Sequence, residues 1–348
     1  MNSSDATLPV PVVSVVVVNY NCKRWLDRFF PSIQAQTIFN RIEVILVDNT
    51  STDGSDVICR EKMAGWANGV FLATGGNYGY GGGCNRGAAI ARGKYLFFLN
   101  PDVWLEPDCL EQLVKHAETT GAGIASPRVL DYDSDNLQGQ GAPGFDIFGC
   151  MTRTPEGETL VEPFSVAAFY FITRELLLKA GGFDEEFFLY NEEMDLSWRV
   201  WLAGATINQV TSAKIHHQGA SSGDRNLENR TNESKRFYAN RNQLLTLLKN
   251  AQGPLLVLVF NQVALIAVEA TVGAILARRF SFVRWALLKP VADCWRLRGH
   301  VVAERRRIRS FRCRGDVWII RRFFVFQFGR WLDVKRLFQA GVKIDKAR

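Results

Sequence analysis

The chain has 348 residues, 47% of them hydrophobic and 22% charged, which is enough apolar mass for one large core or two smaller ones and excludes a disordered chain. Its seven cysteines are scattered, odd in number and without a C-x-x-C pair, so reduced cytosolic thiols are expected in place of a disulfide frame or a cysteine zinc site. The net +7 is uneven: residues 278–348 carry 20 Lys/Arg against 5 Asp/Glu, leaving 22 against 30 before them, so two chemically different parts meet near position 277.

Residues 1–11 lack the basic patch and apolar core of a signal peptide, and a cytoplasmic location is expected for the part that follows. Residues 12–18 form a β-branched run, 44–47 a second and 95–99 a third, with helical patterns over 24–36 and 83–92 between them. Fully apolar strands separated by helices predict an α/β fold with a mostly parallel, Rossmann-like sheet covered on both faces. Each run ends in polar residues: Asn19-Tyr20-Asn21, then Asp48 to Ser55, then Asn100-Pro101-Asp102. Such sheets bind ligands beyond the carboxyl ends of their strands, so the three clusters are expected to converge on one pocket.

Between the second and third runs lies Gly75-Gly76-Asn77-Tyr78-Gly79-Tyr80-Gly81-Gly82-Gly83-Cys84-Asn85-Arg86-Gly87. These glycines read as a loop permitting close backbone approach, ahead of a helix whose N-terminal amides face an anion; a merely flexible loop is the competing reading. Neither a clean G-x-G-x-x-G nor G-K-[ST] is present, which argues against a dinucleotide fold and a P-loop. Residues 126–163, with Gly139, Gly141, Pro143 and Gly144, read as a long loop beside the active site.

Residues 183–199 place six carboxylates among Phe, Tyr and Trp side chains. Apolar surroundings raise carboxylate pKa values, so these acids read as a general base or as groups facing a metal ion; an acidic first helical turn is the plain alternative.

Four motifs in order carry a family resemblance: Val47-Asp48-Asn49-x-Ser51-x-Asp53-Gly54-Ser55, Asn77-x-Gly79-x-x-x-Gly83-x-Asn85-x-Gly87, Asn100-Pro101-Asp102, and Gly182-Phe183-Asp184-Glu185 running through Glu192-Glu193-x-Asp195-Leu196 to Arg199. Over about residues 12–250 the chain resembles family 2 glycosyltransferases of the GT-A fold, and more narrowly their bacterial rhamnosyltransferases. The resemblance implies an inverting transferase taking a sugar, most often L-rhamnose from dTDP-L-rhamnose, from a nucleotide diphosphate donor. It divides 12–250 into a nucleotide-sugar half, about 12–125, and an acceptor half, about 126–250. It further implies that Asn19, Asp48, Asn77, Gly79, Gly83, Asn100 and Asp102 bind the nucleotide sugar. Asp102 would be the last acid of a D-x-D signature and would meet Mg²⁺ or Mn²⁺, ions that suit oxygen-rich sites. Asn100 replaces the first acid of that signature.

Glu192 and Glu193 stand where the family has Glu-Asp, which makes Glu193 the match to the base, with Glu192 the alternative. Asp195 and Arg199 follow Glu192 at i+3 and i+7 and support the site. His216, in His216-His217-Gln218-Gly219-Ala220-Ser221, matches a family histidine that completes the metal site. Arg225, Arg230, Lys235, Arg236 and Arg241 follow on a polar stretch that reads as a cover for the donor diphosphate.

Residues 251–348 read as a basic, aromatic-rich helical region that associates with a membrane. The apolar run 255–277 is long enough to span a bilayer, but Asn261, Gln262 and Glu269 interrupt it, favouring a helix in the interface or packed on its neighbours. Downstream, Trp285, Trp295, Trp318 and Trp331 alternate with Arg284, Arg296, Arg298, Arg305 to Arg307, Arg321, Arg322, Arg330 and Arg336. Aromatics among basic residues suit an anionic lipid surface better than nucleic acid, with an oligomerisation surface as the competing use. Together these features predict an enzyme at the cytoplasmic face of the cell membrane that glycosylates a polyprenyl-diphosphate-linked acceptor. In the subfamily that acceptor is often N-acetylglucosaminyl diphosphate polyprenol, used in cell-wall or surface polysaccharide synthesis. A family 2 transferase using a UDP- or GDP-sugar and a catalytically idle lipid-binding scaffold are the alternatives.

Overall fold

A computed structural model describes residues 10–139, 141–154, 159–166, 169–218, 230–276, 278–327 and 343–345. Four parallel strands form one half of a mixed nine-stranded sheet: β1 (Val13–Asn19), β2 (Ile42–Asp48), β3 (Gly69–Ala73) and β4 (Tyr95–Leu99). The rest comprises β5 (Val103–Leu105), β6 (Ile124–Asp131), β7 (Leu137–Gly139), β8 (Tyr170–Thr173) and β9 (Ile207–His217). The order is β3-β2-β1-β4-β8-β6-β9-β5, with β7 beside β6, and β8 enters antiparallel to both β4 and β6. Strands β3, β6 and β7 carry no long β-branched run, which is why periodicity did not reveal them, and β6 and β7 enter the stretch 126–163 that reads as a loop in the sequence.

Alternation along the strands divides the core. Val16, Val18, Ile45 and Val47 face α3 (Gly79–Ile90), whereas Val13, Val15, Val17, Val44 and Leu46 face α1 (Leu26–Gln34), α2 (Ser55–Ala64) and α4 (Cys109–Thr120). Each fully buried aliphatic side chain contributes about 1.5–3 kcal/mol, so this double coverage holds the sheet.

Helices α5 (Arg174–Ala180) and α6 (Glu192–Leu202) lie between β8 and β9 in sequence. The chain continues through β10 (Arg230–Asn232), α7 (Glu233–Asn250) and α8 (Val257–Leu276). A short turn, Ser281–Val283, leads into the π-helical Arg284–Leu288, then α9 (Lys289–Arg296), α10 (Arg298–Phe311) and α11 (Asp316–Phe323). Strand β11 (Lys343–Asp345) pairs with β10 in a separate ribbon.

The composition change near residue 277 does not coincide with a change in packing. Leu255, Leu258, Ile308, Ile319 and Phe323 belong to the same core as Trp198, Trp201, Phe145 and Phe164. Several tail arginines also turn inward. Arg305 donates to Leu248 O and Ala251 O at 2.5 and 2.7 Å, and Arg312 donates to Asn250 O at 3.0 Å, at the end of α7. Arg307 meets Ala180 O at the end of α5, while Arg314 reaches Gly204 O and Ala205 O at 2.8 and 2.7 Å beyond α6. Helix C-termini leave carbonyls unsatisfied and carry partial negative charge, so these cations serve the fold. Arg305 and Arg307, expected at a lipid surface, are therefore reassigned.

In α8 the residues that interrupt the apolar run face protein. Asn261 donates to Ile147 O at 2.8 Å, Gln262 lies 3.4 Å from the Cys150 thiol, and Glu269 pairs with Arg236 at 3.4 Å. Residues Gly253–Leu276 are long and apolar enough to cross a membrane, with 39% of the most apolar stretch buried inside the protein. Phe260 (76%), Val268 and Ile275 on this helix are exposed, as are Phe280 and Trp295 (72%) further along the chain.

Candidate active site

The first two polar strand ends meet directly. Asn19 and Asp48 are paired across β1 and β2, and the two N–H groups of Asn19 Nδ2 are shared among Asp48 Oδ1 at 2.7 Å and the hydroxyls of Ser51 and Ser55, each at 3.0 Å. Asp48 also accepts from Ser51 N and Oγ at 3.0 and 2.6 Å, and is only 4% exposed. Its first duty is thus to fold the 48–55 turn, with Asn19 as the hub.

The glycine segment is helical from Gly79, four residues earlier than its sequence pattern indicates. Asn77 Oδ1 accepts from Gly79 N at 2.9 Å and starts the helix. Gly79 has φ +70°, and a Cβ there would lie 2.0 Å from Phe188 O; at Gly83 it would lie 2.7 Å from Val18 Cγ1. Small residues here let α3 lie on β1 and against the acidic loop, a packing reason that sequence motifs alone do not reveal. Asn85 completes the junction: its side chain donates to Phe183 O at 2.8 Å and accepts from Phe183 N at 2.9 Å.

The acidic loop ends in an unusual backbone, with positive φ at Phe188, Tyr190 and Asn191. Non-glycine residues in such conformations cost about 1–3 kcal/mol each and persist where surrounding contacts fix them. Directly afterwards, Glu192 and Glu193 occupy the first turn of α6. Burial and the neighbouring Glu193 raise the Glu192 pKa to about 8; burial likewise pushes Glu193 up, partly offset by the backbone amides of residues 193 and 191. Glu192 Oε2 and the Tyr170 hydroxyl are buried without a hydrogen-bond partner among the described residues. Burial raises the Tyr80 hydroxyl well above its ordinary pKa, and the charges of Glu192 and Asp102, from distant parts of the sequence, both add to that rise.

Asp102 follows β4, and its neighbour differs from the one expected. Consecutive residues of a strand point to opposite faces, so only one of His216 and His217 can turn towards it. In the β5–β9 register Val103 opposes His217 and Trp104 opposes His216. His216 stacks on Trp104 at 3.7 Å between centroids, with Nδ1 at 3.0 Å from Asp131 O and Nε2 at 3.1 Å from Glu106 Oε1. Both ring nitrogens are therefore occupied, which disfavours His216 as a ligand. His217 Nε2 instead lies 3.5 Å from Asp102 Oδ2, and Asp102 Oδ1 is buried without a partner among the described residues. His217 Nδ1 donates to Gln138 Oε1 at 2.7 Å, which leaves the single imidazole lone pair on Nε2, and this with an Asp102 oxygen fits a hard divalent ion that takes its other ligands from phosphate and water. No group of three or more His, Cys, Asp or Glu able to hold an ion by itself occurs among the described residues. Gly219 to Ser222 and Arg225 lie outside those residues, as do Arg330, Trp331 and Arg336. A cleft of about 600 Å³ lies on the His216 side, lined by Arg28, Trp104 and Tyr132 but by none of Asp102, His217 or the glutamates.

Asp195 and Arg199 are buried behind the glutamates. Arg199 donates to Asp195 Oδ2 through Nε and Nη2 at 3.0 and 2.7 Å, and through Nη1 to Gly182 O at 2.7 Å. Lys249, fully buried, bridges Asp195 Oδ1 at 3.0 Å and Asp184, which also meets His300 at 2.9 Å. Burial pushes both aspartates up, yet Lys249 with His300 at Asp184, and Arg199 with Lys249 at Asp195, reverse this and hold them below the usual carboxylate range.

Lys249, His300 and, in the polar run Asn240-Arg241-Asn242-Gln243, every residue but Arg241 escaped sequence reasoning. The run is buried inside α7, and four successive polar residues within a long helix were its available signal. Arg241, expected on a cover over the donor, is instead buried and paired with Asp293 at 3.1 Å.

The model of the family described as Glycosyl transferase family 2 matches residues 14–194, just over half the chain. A Haloferax volcanii protein named low-salt glycan biosynthesis hexosyltransferase Agl10 is 25% identical over 217 residues, covering 59% of this chain and 67% of that protein. A Mycobacterium tuberculosis protein named N-acetylglucosaminyl-diphospho-decaprenol L-rhamnosyltransferase is 28% identical over 243 residues, covering 61% and 78% respectively. Among solved structures, GalNAc-T7 with UDP, GalNAc and Mn²⁺ superposes with a TM-score of 0.63 at 16% identity over 94% of this chain, which spans 58% of that chain and shares its fold.

Proposed function

The chain belongs to glycosyl transferase family 2, and on that premise we propose that it moves L-rhamnose from dTDP-L-rhamnose to a lipid-linked acceptor such as N-acetylglucosaminyl diphosphate polyprenol, with inversion at the anomeric carbon. The observation that carries this reading is the buried, mutually raised pair Glu192 and Glu193 in the first turn of α6, with Glu192 and Asp102 both acting on the Tyr80 hydroxyl. A base must hold its proton affinity near the working pH, and burial gives the pair that property. Rhamnose and the lipid acceptor are supported by the name of the mycobacterial relative.

Glu193, with Glu192 beside it, removes the proton of the acceptor hydroxyl as the oxygen attacks the anomeric carbon and the nucleoside diphosphate departs. The Asn19–Asp48 turn and the start of α3 form the floor for the nucleotide. A divalent ion held by Asp102 and His217 would supply positive charge to the diphosphate. Asp195, Arg199 and Lys249 fix the depth of α6 beneath the pair. The exposed Phe260, Phe280 and Trp295, with Arg284, Arg296 and Arg298 nearby in sequence, suit the cytoplasmic surface of an anionic membrane where such an acceptor resides.

Purified protein incubated with dTDP-rhamnose and a polyprenyl-diphosphate acceptor should yield a rhamnosylated lipid, and UDP- and GDP-sugars should not replace the donor. Product from another nucleotide sugar alone corrects the donor, while no product from any of them rejects the reading. In the same assay, His217→Ala is expected to weaken divalent-ion activation at least about tenfold, whereas His216→Ala leaves the ion dependence unchanged. Titration with Mg²⁺ and Mn²⁺ checks this, and equal ion dependence in both variants removes His217 from the metal site.

A further inference from the structure

Glu192 and Glu193 follow directly on a turn whose backbone is unfavourable by itself, so something outside the turn must set their direction. We infer that Asn242 is the positioning residue that aims the glutamate pair, acting through the carbonyls of the preceding turn. The two N–H groups of its buried side-chain amide are shared among Phe187 O at 2.8 Å, Leu189 O at 2.7 Å and Tyr190 O at 2.8 Å. Its Oδ1 accepts from Arg241 Nε at 2.9 Å; because a guanidinium only donates, that contact fixes which end of the amide faces the turn.

The neighbours of Asn242 complete the clamp. Arg241 donates to Glu186 O, and to Phe187 O at 3.2 Å, while Asp293 on α9 holds its guanidinium at 3.1 Å. Gln243 Oε1 accepts from Asn191 Nδ2 at 2.6 Å, which ties down the residue that caps α6. Tyr238, one turn earlier on α7, stacks on Phe188 at 5.4 Å. Residues 186–191 are thus gripped from a single helix, and a rotation at residue 190 or 191 would swing both carboxylates together. A displacement of about 1 Å at reacting groups costs on the order of 100-fold in rate.

This inference rests on the reading of the glutamates as the base, and its test separates the two. Full-length Asn242→Ala, and the milder Asp293→Asn, are compared with wild type for nucleotide affinity, kcat and the pH profile. Asn242→Ala is expected to keep nucleotide affinity and to lower kcat about 100-fold. Its acid limb should move to lower pH, because a loosened turn admits water to the Glu192 carboxyl that burial and Glu193 hold up. The other titratable groups facing that carboxyl, Tyr80 and Cys84 of α3, Tyr170 of β8 and Tyr190 of the turn, are neutral acids in this range and add no competing shift. Asp293→Asn should move kcat in the same direction by less, and it carries the test if Asn242→Ala does not fold.

A folded Asn242→Ala with wild-type kcat and pH profile overturns the inference, as does a loss confined to KM. Should wild type transfer no sugar, the catalytic reading fails on its own. Amide hydrogen exchange over residues 186–193 then decides: faster exchange in Asn242→Ala supports the clamp, and unchanged exchange overturns it.

Discussion

Glu193→Gln is expected to lower kcat by about 10²–10⁴ while leaving donor affinity intact, because the amide keeps the shape of the side chain but cannot take the acceptor proton. Glu192→Gln should cost less, and it should move the acid limb of the pH profile to lower pH. The two carboxyls share one largely buried space, so neutralising either relieves the other. Wild-type activity itself should climb as pH rises towards about 8, where the pair loses its shared proton. Stability runs the other way. A glutamate ionises near 4.5 when unfolded, so between there and about 8 the folded state holds a proton the unfolded chain has lost, and stability falls as pH rises across that window. Steady-state kinetics of both variants between pH 5 and 9 checks this. A larger loss in Glu192→Gln exchanges the two roles, and wild-type rates in both variants remove the pair as base.

Lys249→Met is expected to destabilise the protein by about 3–5 kcal/mol, the usual consequence of deleting one partner of a buried ionic cluster. The ammonium lies 3.0 Å from Asp195 and 4.5 Å from the Phe187 ring centroid, and it also meets Asp184. Methionine fills the volume but leaves two buried carboxylates with His300 and Arg199 as their remaining cations. The depressed aspartates contribute stability that is present above the ordinary carboxylate pKa of 3.8 and lost as pH falls through their lower folded values. With Lys249 removed, these pKa values rise and acid unfolding should begin at higher pH. Urea unfolding at pH 7 and a pH titration of the circular-dichroism signal measure both effects. A variant as stable as wild type would mean that the cluster contributes specificity without net stability.

The polar strand ends were legible because their meaning is topological: a parallel strand ending in Asn19 or Asp48, or followed at once by Asp102, delivers that residue to one edge whatever the rest of the chain does. The raised pKa values of Glu192 and Glu193 were legible because carboxylates set among aromatics are pushed up by burial. The choice between His216 and His217 was not. It depends on which face of β9 meets β5, and a slip of one residue would reverse it. Nor was the use of the basic tail, since Arg305, Arg307, Arg312 and Arg314 look like surface charge until the carbonyl ends of α5, α6 and α7 come within reach.

By itself, then, the sequence determined the family and the α/β sheet, because hydrophobic period and motif order are properties of neighbouring residues. Tertiary structure alone decided which histidine stands beside Asp102, what Lys249 neutralises and how α7 grips the turn before Glu192. Those depend on contacts between residues 50 to more than 100 positions apart, where register and packing, not local pattern, choose the partner.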